Sequence, residues 1–202
     1  MLDRALTALI RRPLQALARG AVALKLQADA ITLVGFGVGM AAALAIAAGH
    51  PLWGLALMLS SRLLDGLDGA VARLTTPTDR GAFLDITLDF LFYASIPLAF
   101  AISQPAANAL AAAVLLATFM GTASSFLAFA VLAERRGLHS ADYPHKGLFY
   151  LGGLTEASET LICFVLMCLW PAHFAGLAYG FAALCGFTIM GRLAAGWQAF
   201  RV

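Results

Sequence analysis

The chain is divided into apolar runs long enough to cross a bilayer, and this constrains its fold more than any single motif. A spanning helix needs roughly 20 mainly apolar residues. Runs of that kind read as Ala30–Gly49, Leu52–Leu74, Gly81–Ser103, Ala106–Ala133, Gly147–Leu169 and Ala172–Phe200. Pro, Gly, His or charge clusters separate them, and Pro97 interrupts the third. Composition agrees: 61% of the residues are apolar, 12% are charged and mean hydropathy is +0.86, outside the range of soluble domains. The runs lack sustained alternation and are too long for barrel strands. No linker, internal repeat or polar low-complexity segment divides them. The expectation is an all-α integral membrane protein with about six transmembrane helices in residues 30–202, preceded by an N-terminal segment at 1–29.

That first segment lacks the apolar core and small-residue cleavage site of a secretory signal and is expected to remain in the mature protein. Leu2, Leu6, Leu9 and Ile10 share one helical stripe, with Arg4, Arg11 and Arg12 elsewhere. This suits an amphipathic helix in the membrane interface, although the same stripe fits an ordinary cytosolic cap helix. Arg19 and Lys25 add to the basic start, Arg73 and Arg80 flank the second loop, and Arg135, Arg136 and Lys146 flank the fourth. The turns around His50, Gln104 and His173 carry no Lys or Arg, so the positive-inside rule puts both termini and the Arg-rich loops in the cytoplasm. Cys163, Cys168 and Cys185 lie in apolar runs without zinc-type spacing and read as packing residues.

Four aspartates stand where a membrane segment disfavours them. Asp65 and Asp68 are three apart at the end of the second run, and Asp85 and Asp89 four apart early in the third, so each pair shares one helical face. An unpaired carboxylate at a helix centre costs about 2.5 to 3.5 kcal/mol on insertion scales. The short turn between the runs predicts antiparallel neighbouring helices whose acidic faces meet. Four carboxylates repel unless protons or cations intervene, and an all-oxygen set favours hard ions such as magnesium, manganese or calcium. Shared ligands across two helices would suit a pair of ions. Pairing with Arg62, Arg73 and Arg80 is the purely structural alternative. Gly66, Gly69, Ala70, Ala72 and Gly81 keep the adjoining surfaces narrow, which leaves room for a ligand or for close helix packing.

The run Asp65-Gly-Leu-Asp68-Gly69-Ala-Val-Ala72-Arg73, followed by Gly81-Ala-Phe-Leu-Asp85-Ile-Thr-Leu-Asp89, closely resembles the signature of the CDP-alcohol phosphotransferase family. Every defining position of Asp-x-x-Asp-Gly-x-x-Ala-Arg and Gly-x-x-x-Asp-x-x-x-Asp is filled, across a spacer slightly shorter than in many members. The remainder is most similar to bacterial inner-membrane members of the phosphatidylglycerophosphate synthase-like type. The resemblance implies transfer of a phosphatidyl-like group from CDP-diacylglycerol or a similar CDP-lipid to a small alcohol, with release of CMP. It also implies Mg2+ or Mn2+, two ions, a site facing the cytoplasm and a homodimer among membrane lipids. Asp65, Asp68, Asp85 and Asp89 would hold metal, and Asp89 would act as general base. Asp68, Gly69, Ala72, Arg73 and Gly81 match nucleotide-binding positions.

Thr32 corresponds to a family threonine that touches the nucleotide, although its hydroxyl equally suits a bond within its own helix. Arg62, Lys146 and Arg192 are candidates for a phosphate-bearing acceptor, against simple balancing of acids or snorkelling. Glu156 and Glu159 share a face inside the fifth run and are candidates for acceptor recognition, against internal pairing with Lys146 or Arg192. His139, Asp142, Tyr143 and His145 fall in the longest cytoplasmic loop and read as a solvated connector. Glycerol 3-phosphate leads as acceptor, with inositol phosphate, serine or another polyol behind it. A divalent-cation transporter is the alternative from another class, but the far-side turns lack acids to line a path. No nucleic-acid partner is expected.

Overall fold

The computed structural model describes residues 2–137 and 155–201, with side chains from residue 13 onward. Those residues form helices and turns only: α1 Leu2–Ala23, α2 Ala28–Ala47, α3 Pro51–Leu74, α4 Asp79–Ser103, α5 Pro105–Arg135, α6 Ala157–Leu169 and α7 Phe174–Ala199, the last entered through a 3-10 turn at Pro171–His173. Local chemistry sets several boundaries. Pro51 and Pro105 open α3 and α5, where the missing N–H costs nothing. At α4 the Thr78 hydroxyl accepts from the Gly81 amide at 3.0 Å, with Asp79 in the first turn against the helix dipole. Helix α2 ends where Gly49 turns to φ +83°; its amide and that of His50 donate back to Ile46 and Ala45, both at 2.9 Å.

Among the described residues, four stretches are long and apolar enough to span a bilayer: Ala28–Ala47, Asp79–Ser103, Pro105–Arg135 and Pro171–Ala199. Among the described residues, two of the six expected spans do not meet this criterion, each for a physical reason. Helix α3 has 24 residues, roughly 36 Å of rise, but carries Arg62, Asp65, Asp68 and Arg73. Helix α6 has 13 residues, roughly 20 Å, and begins at Ala157 instead of running unbroken from residue 147. Residues 147–154 of that expected span lie outside the described residues. Pro97, expected to interrupt the third run, sits buried within a continuous α4.

Packing is arranged around α2, which lies against both α3 and α4. Those two make little backbone contact with each other. Helix α7 packs on α5, and α1 lies along α3. In lipid such contacts rest on close steric fit, because hydrocarbon tails compete for apolar surface. A Cβ at Gly35 would come within 3.1 Å of the Leu64 Cβ, so the glycine is what lets α2 and α3 approach.

The apolar core occupies one half of the bundle. Ala42 and Ile46 of α2, Met58 of α3, Ile96 and Phe100 of α4, Leu115 of α5, Phe164 and Met167 of α6, and Phe174 and Ala178 of α7 pack together there. A smaller cluster at the other end joins Ala18 and Ala21 of α1 to Ile31, Ala70 and Val71. The basic N-terminal helix is thereby tied to the acidic end of the bundle. Asp65, Asp68, Asp85 and Asp89 lie at this end, beside the turn joining α3 to α4.

Candidate metal centre

Helix periodicity puts Asp65 and Asp68 on one side of α3 and Asp85 and Asp89 on one side of α4. The α3–α4 gap allows these faces to form a cleft. Its lining is Arg62 and Asp65 from α3, Asp85, Leu88 and Asp89 from α4, and Thr32, Gly35 and Phe36 from α2. The predicted meeting of acidic faces therefore occurs, with α2 as the common support in place of direct packing between the two acidic helices.

One carboxylate oxygen each from Asp65, Asp68 and Asp85 lies within 4.8 Å of the other two. Asp85 is exposed, Asp65 half-buried and Asp68 only 4% exposed. The buried Oδ2 of Asp68 receives no hydrogen bond from the described residues. A buried acceptor left unsatisfied is costly, more so when it carries charge. The donor set fits a hard divalent ion on this ground: three convergent carboxylates, one with an orphaned buried oxygen, and no soft ligand among them.

Asp89 has a different partner. Its Oδ1 accepts from Arg62 Nη1 at 2.5 Å, and the same nitrogen lies 3.5 Å from Asp65 Oδ1. Arg62 Nη2 donates to Ser61 Oγ at 3.3 Å, while the Ser61 hydroxyl donates to the Gly35 carbonyl at 2.7 Å. The guanidinium carbon lies 3.8 Å from the centre of the Phe92 ring. Arg62 thus contacts acids, a hydroxyl and an aromatic face at once, and its side chain is 12% exposed. The other two arginines considered for acid pairing behave differently. Arg80 binds Asp29 of α2, with Nε donating to Oδ2 at 2.8 Å. Arg73 is exposed and folds its guanidinium over Gly69, where an added Cβ would lie 3.3 Å from Nη1.

Thr32 is buried on the cleft wall, and its hydroxyl donates to the Ala28 carbonyl at 3.0 Å within its own helix. Gly81 sits in the first turn of α4, where a Cβ would come within 3.0 Å of Asp29 Oδ1. Ala72 is half-buried on α3. Of these three positions, Thr32 lines the cleft.

The acceptor candidates divide. Arg62 lines the cleft; Arg192, Glu156 and Glu159 are not among its lining residues. Arg192 Nη1 donates to the Thr122 carbonyl at 2.9 Å, and its guanidinium lies 5.5 Å from the Phe126 ring, between α7 and α5. Glu156 and Glu159, expected inside a span, instead form a capping box at the start of α6, with the Glu156 amide donating to Glu159 Oε2 at 3.2 Å. A helix start needs these acceptors, which explains the three-residue spacing without a ligand. Lys146, His139, Asp142, Tyr143 and His145 lie outside the described residues.

Sequence reasoning missed Ser61, Phe92 and Asp29. Phe92 follows Asp89 by three, so helical periodicity already places it on the same face, where an aromatic ring is easily read as core. Nothing local links Asp29 to Arg80, 51 positions away.

Fold and site together define a helical membrane protein with an acidic cleft at one end of its bundle whose oxygen donors could hold a metal ion. The chain matches the CDP-alcohol phosphatidyltransferase family over residues 25–191 and belongs to that family. Membership makes it a membrane-embedded transferase of phospholipid synthesis with metal binding. It is 50% identical over 173 residues to the inner membrane protein YnjF of Escherichia coli K12, covering 86% of this chain and 84% of that protein. A stretch of 67 residues is 52% identical to archaetidylinositol phosphate synthase of Methanothermobacter thermautotrophicus, covering 33% of this chain and 34% of that enzyme. Two crystal structures of Mycobacterium tuberculosis phosphatidylinositol phosphate synthase share the fold at 24% identity. The one with CDP-DAG bound has a TM-score of 0.73 and coverage of 92% of this chain and 94% of that chain. The one in complex with manganese and citrate has a TM-score of 0.71 and coverage of 91% and 88%.

Proposed function

We propose that the chain transfers the phosphatidyl group of a CDP-lipid, CDP-diacylglycerol or a close analogue, to a phosphate-bearing polyol and releases CMP. The observation that carries this reading is the convergence of Asp65, Asp68 and Asp85 around the orphaned oxygen of Asp68. Magnesium or manganese held by those three carboxylates would supply positive charge to the diphosphate and to the departing CMP. The nucleotide lies against Thr32, Gly69, Ala72 and Gly81, with Arg73 at its phosphates. Asp89 accepts the proton of the acceptor hydroxyl through the oxygen that Arg62 does not occupy, and the alcohol oxygen attacks the lipid-bearing phosphorus. No covalent enzyme intermediate is needed.

Inositol phosphate and glycerol 3-phosphate are the acceptors to compare first. The relatives whose names state an acceptor make inositol-containing lipids, which moves inositol phosphate ahead of the sequence-based choice of glycerol 3-phosphate. The Arg-rich segments at the acidic end orient the site toward the cytoplasm under the positive-inside rule, and kinship to an inner membrane protein favours the bacterial inner membrane. The test is CMP release by purified protein from CDP-diacylglycerol with magnesium or manganese across an acceptor panel that includes serine and neutral polyols. Mass spectrometry would identify the lipid product. Turnover that survives complete metal chelation would overturn the mechanism, and a product formed only from a neutral alcohol would overturn the phosphate-bearing acceptor.

A further inference from the structure

We infer that the cavity at the end of the bundle opposite the acids is a second ligand site, which takes a neutral hydroxylated group of glycerol's size, the headgroup of a lipid or a free polyol. Ser103 lies 18 residues beyond Asp85 on α4, roughly 27 Å along the axis, so this site is separate from the acidic cleft. The cavity measures about 130 Å3, the share of about four waters in the liquid. Its walls are Gly49, Pro51, Ser103, Gln104, Asn108 and Pro171, over a floor of Ile46 and Phe100. The floor is firmly packed: Phe100 stacks on Phe174 at 4.7 Å between ring centres, and Ile46 and both rings are at most 2% exposed.

Asn108 is 4% exposed, and its one side-chain hydrogen bond among the described residues runs from Nδ2 to the Phe100 carbonyl at 3.0 Å. A carboxamide has two N–H donors and an oxygen with two lone pairs. Buried with the rest unpaired, Asn108 is costly unless the cavity's contents supply partners. The Phe100 carbonyl is crowded in turn. It also accepts from Ser103 Oγ at 3.0 Å and from the Gln104 amide at 3.3 Å, three donors on two lone pairs, so the Ser103 hydroxyl can rotate to a guest without leaving that carbonyl unpaired. Helices α2 and α4 end here and α3 and α5 begin here, which adds backbone acceptors and donors that have no partner within their own helices. A hydroxyl both donates and accepts and matches this mixed set, while the carbon skeleton of a polyol covers the Ile46 and Phe100 floor. No Asp, Glu, Lys or Arg is among the lining residues, so a charged guest would lack a counter-ion there. Exposed Trp53 and Trp170, close to Pro51 and Pro171, set the mouth at the level of lipid headgroups.

The test uses the purified full chain in dodecyldimethylamine oxide, a detergent without hydroxyl groups, carrying Trp197→Phe so that Trp53 and Trp170 report from beside the cavity. The probes are monoolein, whose headgroup is glycerol; free glycerol; and methyl oleate, which has the same chain and no hydroxyl. A saturable change in fluorescence is expected with a glycerol-bearing probe and not with methyl oleate. Saturation by monoolein alone identifies a lipid headgroup, and saturation by glycerol as well identifies a free polyol. Asn108→Leu should weaken the response about tenfold, the loss of one good hydrogen-bonding partner. That variant also loses its bond to Phe100, so Ser103→Ala and Gln104→Leu, which keep it, cover the case of poor folding; each should weaken the response about threefold. Circular dichroism confirms helicity for each. Equal responses to monoolein and methyl oleate, no saturable response to any probe, or unchanged affinity across the folded variants would overturn the inference and leave a cavity that holds water only.

Discussion

Replacing Gly39 with valine tests how packing on α2 supports the acidic site. A Cβ built at Gly39 would lie 2.7 Å from Phe92 Cδ2 and 2.9 Å from Ser61 Oγ. Comfortable carbon contacts begin at about 3.5 Å, so the overlap is about 0.8 Å against Phe92 and smaller against the Ser61 oxygen. Neither neighbour can give way cheaply. Phe92 and Ser61 are both 0% exposed, and Ser61 is tethered to the Gly35 carbonyl. Overpacking of this kind costs about 1 to 3 kcal/mol, roughly a 5- to 150-fold change in the folded-to-unfolded ratio. Gly37 lies on the same helix with nothing within 4 Å of its built Cβ, so Gly37→Val carries the same change in helix propensity without the clash. The difference between the variants isolates packing. Titrating sodium dodecyl sulfate into detergent-solubilised protein, followed by fluorescence of Trp53, Trp170 and Trp197, should show Gly39→Val unfolding well before Gly37→Val. CMP release should fall with it, because Phe92 underlies Arg62 and Arg62 holds Asp89. Coincident unfolding midpoints for the two variants would refute the packing argument.

Asp68→Asn should abolish Mn2+ binding and lower CMP release by more than about 100-fold, since metal stabilisation of transition-state charge amounts to several kcal/mol; wild-type Mn2+ affinity in the variant would remove Asp68 from the ligand set. Asp89→Asn should retain the CDP-lipid yet slow CMP release by about 100- to 10,000-fold through loss of the general base, and near-normal turnover would require another base. Thr78→Ala deletes the hydroxyl that accepts from the Gly81 amide at 3.0 Å and should cost about 1 kcal/mol in the same unfolding titration, with Thr78→Ser restoring most of it. Glu159→Ala should destabilise by a similar amount, about 0.5 to 2 kcal/mol, while leaving acceptor selectivity unchanged; a shift in acceptor preference would return that residue to the site.

The membrane class and the acidic motif were legible before any coordinates. Apolar runs of spanning length, and carboxylates three and four apart, follow from the helical repeat and the dielectric of lipid, both local properties of a segment. The start of α4 was also readable in part, because Thr78 and Asp79 satisfy a helix N-terminus through near neighbours. Glu156 and Glu159 were misplaced because a short apolar stretch preceded by acids reads the same whether the acids lie inside a span or cap its beginning, and only the observed helix start at Ala157 separates the two.

What the sequence by itself determined is the list of groups that lipid would penalise, and hence that Asp65, Asp68, Asp85 and Asp89 require compensation. Tertiary structure alone decided what compensates each. It set α3 and α4 apart on α2, brought three carboxylates to one point, and closed the 27-residue separation between Arg62 and Asp89. Helical periodicity fixes which residues share a face but carries no information about the distance between two faces. That distance depends on where Gly35 and Gly39 let helices approach and where Phe92 holds them off, and it determines which acids meet one another and which meets an arginine.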